Sequence, residues 1–444
     1  MSEKNIYARD SLDYIPKQRQ DFSFLNMLAI FMGMQVPISY FLVGGSISAG
    51  LTLAQSLTVT ILAFIVGFVI FSLIGTIGQQ AGVTTMVASR PAFGIFGSVL
   101  PALITFITLA GWDSVHVQLA GVMLNNTSKE LLGWGNQHVF SFVVGVIIVA
   151  LVVFGSNALK VMEQCLVPAV LLLVVMALYV ALGHHHFSDL LHKAGKGTIT
   201  PAIGFDAMLI SALTWVPMVS DYTRFGKTKK TAFWAALIGS IPVGFLMNSI
   251  GQISAVSLGN ANPLVEMLHQ GKIFSTVAFI VIIFATVATA ALILYSSAIS
   301  AISIFPNVSV KTMSAIIGVV CIVLAITVNL LGDVMGWLSF QGYLLIPLFS
   351  VILVDYFIVH KSKYISEELF NKQGKYRFFK GFNIIGYISW VAGAITFFAA
   401  RNSMIGGALI SMVVSGLFYV VLHKLFAKSG NVDKSTDDEV PVSQ

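Results

Sequence analysis

The stretch Gly111-Trp112-Asp113-Ser114-Val115-His116-Val117-Gln118 places an indole, a carboxylate, an imidazole and an amide within two turns of an otherwise apolar run. An Asp at the centre of a membrane helix costs about 2.5 to 3.5 kcal/mol, so Asp113 is expected to face a protein interior and to have a partner there. His116, three residues on, shares its face and is the expected partner. Trp112 and His116 stand four residues apart and should line one stripe of a pocket. The indole would then serve as a flat platform for a planar heterocycle, worth roughly 1 to 3 kcal/mol per stacked ring. Two uses of the Asp113–His116 pair stay open: exchange of a proton in the physiological range, or a buried hydrogen bond that only orients helices.

Two further segments could expose backbone chemistry. Gly33-Met34-Gln35-Val36-Pro37 and Thr214-Trp215-Val216-Pro217 each carry a proline inside an apolar run. Proline removes one amide donor and clashes with the carbonyl four residues earlier, so both runs should be interrupted there. Secondary transporters bind substrate where two helices unwind at matching places of two inverted halves. The remaining chemistry-bearing residues read as structural. Asp221 and Arg224 can pair at i and i+3, Asp355 sits near a helix end, and His184-His185-His186 reads as a solvated loop. Cys165 and Cys321 lie in apolar runs and form neither a disulfide framework nor a paired-cysteine metal site. Thr286, Thr289, Tyr295, Ser296 and Ser297 share one run, where hydroxyls bond to their own backbone or ligate an ion.

The elements that must hold these residues are helices in a bilayer. Of 444 residues 57% are hydrophobic and 10% charged, with mean hydropathy +0.88, far too little polar surface for soluble domains of this length. Hydropathy predicts spans at 25–48, 54–78, 93–125, 138–157, 161–182, 202–224, 232–257, 273–305, 312–331, 336–359, 382–400 and 403–426. These are helical lengths, which excludes a β-barrel. With the polar segment 1–24 inside, 20 of the 25 basic residues fall on the inner side. Both termini are therefore expected in the cytoplasm, and the net charge of +6 reflects inner loops and not nucleic-acid binding. Residues 427–444 read as a disordered cytoplasmic tail. No phosphate loop and no soluble domain is visible, which weighs against a receptor or a transporter driven by its own nucleotide-binding domain, so energy must come from elsewhere.

With these residues in hand, the chain resembles the nucleobase-cation-symport-1 family, carriers of cytosine, purines, uracil, allantoin and hydantoins. The likeness covers residues from about Phe22 to Phe426. It rests on Gly82-Val83-Thr84-Thr85-Met86-Val87-Ala88-Ser89-Arg90 with Phe93-Gly94 and Gly97-Ser98, on Gly111-Trp112, on Asp221-Tyr222-Thr223-Arg224-Phe225, on Val354-Asp355-Tyr356-Phe357, and on Asn383 with Trp390. The resemblance implies an all-α polytopic protein with a five-plus-five inverted repeat (LeuT-like), repeat one at about 25–182 and repeat two at about 202–359, plus two extra helices at about 382–426. It implies a heterocycle held between Trp112 and a residue of span 6. The aromatic of relatives falls on Ala212 here, with Ser211 and Thr214 as neighbours and Trp215 able to supply the ring. It also implies a sodium site matching Gly33, Val36, Ala285, Ala288 and Thr289, in which Ala288 has lost a hydroxyl.

The function expected is import of a nucleobase or similar heterocycle by cation symport with alternating access, the proton preferred over sodium as coupling ion. Asp113 and His116 would carry the proton, and Trp112, His116, Gln35, Ser211, Ala212, Thr214 and Trp215 would surround the substrate. No cofactor, no metal beyond sodium, no nucleic acid and no obligatory protein partner is expected. A bacterial inner membrane is the expected location. The rival readings are a membrane-embedded enzyme using Asp113 and His116, and a channel.

Overall fold

Backbone amides and carbonyls in a bilayer must find partners within the chain, so long apolar runs have little choice but to become helices. The computed structural model describes residues 14–428 apart from 49, 155, 184, 194–198, 261–262, 268–269 and 306. The expected tail from 429 onward, residues 1–13 of the N-terminal segment, and His184 therefore lie outside the described residues. Among the described residues the chain is helical, without a named strand. Nine helices among the described residues are long and apolar enough to cross a bilayer, and a tenth is added if the pair Phe24–Met34 and Ser39–Ser48, bent by 61°, is counted as one span. Two shorter apolar helices, Pro168–Leu182 and Ile384–Ala400, lie where the fifth and eleventh spans were expected.

Span 1 breaks where its sequence demands. Its first half stops at Met34, and the second half starts at Ser39, two residues after Pro37. Span 6 stops at Leu213 and restarts at Val216 with Pro217 in the first turn, where a missing amide is harmless. The interruption here is a local turn at Thr214 and Trp215, and the two pieces continue as one span, Pro201–Thr223. Span 3 starts later than hydropathy suggests, at Val99, because residues 85–93 form two short helices ended by Gly94 at φ 93°.

The broken spans are held by close backbone approach and by side-chain bonds to carbonyls. A Cβ on Gly251 of span 7 would lie 1.9 Å from the Phe41 carbonyl oxygen, and one on Gly44 would lie 2.1 Å from that of Asn248. Only hydrogen fits at either place. Along span 2, the Thr223 hydroxyl donates to the Gly75 carbonyl at 2.7 Å and the Ser220 hydroxyl to that of Ile74 at 3.2 Å. At the end of span 2 Gln79 donates to the Gly226 carbonyl at 3.1 Å, and Phe22 bridges to the same turn.

The Asp355 and Asn383 motifs meet at one place. The buried Asp355 carboxylate accepts from the hydroxyl of Tyr364, from that of Tyr419 at 2.6 Å, and from His360 Nδ1 at 3.2 Å. Asn383 donates to the Tyr419 hydroxyl at 3.2 Å. The end of span 10, the following loop and the last two helices are thus tied to one carboxylate. Asp221 takes a bond from the Thr85 amide at 3.4 Å, and Arg224 Nε donates to the Asp221 carbonyl at 3.3 Å. Both acids hold backbone and helix ends, as their positions suggested.

Two outcomes follow. Gly251→Val should lower the melting temperature of the purified protein, at a cost of about 1 to 3 kcal/mol, whereas Gly33→Ala, with nothing within 4 Å of the new Cβ, should leave it near the wild-type value. Burial opposes charge on His360, but the adjacent Asp355 carboxylate outweighs it and holds the imidazole above its usual range. A group raised on folding contributes its full stability below its unfolded value of about 6.5 and loses it as pH rises through the folded value. Melting temperature should therefore fall with rising pH above about 6.5, and His360→Gln should remove that part of the slope.

Candidate functional site

Where the two breaks face span 3, the structure encloses a cavity. Pro37, Ser39 and Tyr40 come from the restart of span 1, Thr214 and Trp215 from the turn in span 6, and Trp112 and His116 from span 3. Leu109 and Ile293 close it with apolar surface. Both indoles are 7% exposed and His116 is 1% exposed. Neither indole is in ring contact with the other, while Tyr40 meets Trp215 edge-on at 6.5 Å.

Each wall group is fixed by a bond that leads away from the cavity or along its wall. Trp112 Nε1 donates to Gln341 Oε1 at 2.9 Å, which pins the first indole to span 10. Gly111 is there for the same reason, since a Cβ on it would lie 2.1 Å from the Trp337 ring. Trp215 Nε1 donates to the Tyr40 hydroxyl at 2.6 Å, and that hydroxyl donates onward to Gln35 Oε1 at 2.7 Å. Thr214 donates to the Ser211 carbonyl at 2.7 Å, satisfying an acceptor that the turn leaves without its helical amide. His116 Nδ1 contacts the Trp112 carbonyl at 2.7 Å and Nε2 contacts Ser39 Oγ at 3.3 Å.

Several sequence expectations are corrected by these contacts. Asp113 does not pair with His116, whose two ring nitrogens are taken by Trp112 and Ser39. At about 100° per residue, four residues bring Trp112 and His116 to within about 40° of one another, but three leave Asp113 about 60° from His116. Asp113 is turned instead toward the Cys321 thiol of span 9, and its Oδ1 has no hydrogen-bond partner. Gln35, Ser211 and Ala212, expected at the substrate, stand off the cavity wall. Gln35 is behind Tyr40, Ser211 contributes its carbonyl to Thr214, and Ala212 packs on Gly67 of span 2, where a Cβ would meet its own at 2.6 Å. Gln118 serves structure, donating to the Ala325 carbonyl at 2.9 Å and accepting from the Leu331 amide at 3.0 Å.

Of the residues matched to a cation site, Val36, Ala285, Ala288 and Thr289 are buried. Thr286 returns its proton to the Ile282 carbonyl at 2.8 Å. Sequence reasoning missed Ser39, Tyr40 and Gln341. A signal existed for each: two hydroxyls within three residues of a span-breaking proline, and one lone amide in the first third of span 10.

The family model described as a permease for cytosine/purines, uracil, thiamine and allantoin matches residues 14–421. The hydantoin permease of Microbacterium maritypicum is 23% identical over 418 residues, covering 89% of this chain and 84% of that protein. The cytosine permease of Escherichia coli (strain K12) is 27% identical over 327 residues, covering 72% and 74%. Among solved structures, Mhp1, a nucleobase-cation-symport-1 family transporter in a closed conformation with bromovinylhydantoin bound, superposes with a TM-score of 0.83 at 18% identity, covering 94% of this chain and 96% of that one. The fold is therefore shared over almost the whole length.

Proposed function

The chain belongs to the permease family for cytosine/purines, uracil, thiamine and allantoin, which makes it a multi-pass membrane transporter and not an enzyme, and from that premise we propose that it imports a planar nitrogen heterocycle by cation symport with alternating access. The observation that carries this reading is the cavity itself, set at both helix breaks and walled by two indoles that do not touch. A flat ring entering between Trp112 and Trp215 gains stacking on its faces, while His116, Ser39 and Thr214 address its edge. The hydantoin and cytosine named for the relatives are rings of this kind. In this reading the two breaks belong to a five-plus-five inverted repeat, with spans 11 and 12 outside it and both termini in the cytoplasm of a bacterial cell.

The proton is the proposed coupling ion, carried by Asp113. Support comes from a buried carboxylate in span 3 with one oxygen unpartnered, one residue from the indole of the cavity. A proton gained or lost there changes the charge inside the span directly behind the wall that holds the substrate. A hard cation wants several oxygens. The sodium alternative would use the carbonyls of Gly33, Val36 and Ala285 with Thr289, and Ala288 adds no hydroxyl.

Uptake of labelled heterocycles into proteoliposomes, under an imposed proton or an imposed sodium gradient, tests the reading. Trp112→Ala should lower the apparent affinity of uptake about 5- to 150-fold while the protein still reaches the membrane, because about 1 to 3 kcal/mol of stacking is lost. Normal uptake by that variant would sink the site. Asp113→Asn should bind substrate yet lose the pH dependence of uptake. Accumulation driven by sodium alone would shift the coupling to Thr289 and the span 1 carbonyls.

A further inference from the structure

The cavity has six side chains with polar hydrogens, and in every one the hydrogen is already directed at another protein atom. Trp112 Nε1 gives its proton to Gln341, and Trp215 Nε1 gives its proton to Tyr40. Tyr40 gives its own to Gln35, and Thr214 to the Ser211 carbonyl. The contact of His116 Nδ1 with the Trp112 carbonyl fixes the tautomer, because a carbonyl oxygen can only accept. In the neutral imidazole Nε2 is then the acceptor, and the Ser39 hydroxyl donates to it.

What these groups can still offer a guest is lone pairs. Thr214 Oγ1 and Ser39 Oγ retain acceptor capacity after giving up their protons, and His116 Nε2 accepts from any donor that displaces the 3.3 Å contact with Ser39. Gln35 has a free Nε2, but it lies behind Tyr40 and does not line the cavity. Side-chain donors are thus used up before a ligand arrives. In the first turn of the helix that restarts at Ser39, the amides of Tyr40 and Phe41 already donate to the carbonyls of Pro37 and Ile38, each at 3.0 Å, so the backbone there adds no donor from these two residues.

We propose that this site selects heterocycles that present exocyclic amino groups to the His116, Ser39 and Thr214 wall, aminopyrimidines and aminopurines, over their oxo counterparts. The inference rests on the transport reading and narrows its substrate class. A carbonyl turned toward that wall would face lone pairs and be left buried without a donor, which a closely built polar site rejects strongly. An exocyclic amino group in the same place donates to His116 Nε2 and to one hydroxyl at once.

Calorimetric titration of the purified full chain with matched pairs tests this. The probes are 2,4-diaminopyrimidine, cytosine and uracil, and 2,6-diaminopurine and xanthine, each repeated with Trp112→Ala to isolate binding at the cavity. Affinity should fall in the order diamino, amino-oxo, dioxo, with about tenfold or more between the extremes of each series. His116→Gln, which places an amide donor near the Nε2 position, should narrow that ratio by raising the affinity for uracil and xanthine. Should that variant fail to fold, Thr214→Val, which removes an acceptor, should narrow it by weakening the diamino members. Trp112-dependent binding in which the dioxo rings match or exceed the diamino rings would overturn the selectivity and leave the transport reading standing. Absence of Trp112-dependent binding by every member would overturn the selectivity, and its absence for hydantoin as well would overturn the transport reading too.

Discussion

A proline in the middle of a bilayer helix leaves a carbonyl without its amide, and no water is present to replace the missing donor. Everything else in this site follows from how that deficit is met. In span 1 the chain stops at Met34 and restarts at Ser39 at an angle of 61°. In span 6 the turn before Pro217 also draws the Trp215 amide away from the Ser211 carbonyl, which the Thr214 hydroxyl satisfies instead. Both solutions need protein on all sides, since irregular backbone facing lipid would stay unsatisfied. The breaks must therefore sit inside the bundle, and the space between them is where a polar solute can be held.

Close packing around the breaks makes them durable. Glycines 44 and 251 let the second half of span 1 lie directly on span 7, with carbonyls where side chains would otherwise stand. This approach fixes the restart of span 1, and with it the hydroxyls of Ser39 and Tyr40. Tyr40 then orients Trp215, while Gln341 on span 10 orients Trp112. The two indoles are thus anchored by different spans. A relative movement of those spans would change the slot between them, which suits a carrier that must hold and then release its cargo.

Away from the cavity, polar groups are used sparingly and in clusters. Asp355 gathers two tyrosine hydroxyls and an imidazole at the end of span 10, so that one buried carboxylate has a full set of donors. Such a carboxylate joins distant elements because His360 and Tyr364 come from the loop that follows span 10 and Tyr419 from the last helix. Asp113 is the contrast: equally buried, with one oxygen unpartnered. A satisfied acid holds a structure together, while an unsatisfied one is available for a change of protonation.

The sequence by itself determined the class of protein, the positions of both breaks and the stripe formed by Trp112 and His116. Each of these is local: hydropathy over about 20 residues, the missing amide of a proline, and the near-return of a helix after four residues. It also carried the family, through motifs such as Asp221 to Phe225 and Val354 to Phe357. Tertiary structure alone decided which way each helix is turned about its axis. That rotation sends Asp113 to Cys321 and away from His116, puts Trp215 on the wall, and sets Ala212 against span 2. It also brings in Gln341 from 229 residues away. Helix rotation is settled by packing between spans distant in the chain, and no spacing within one span encodes it.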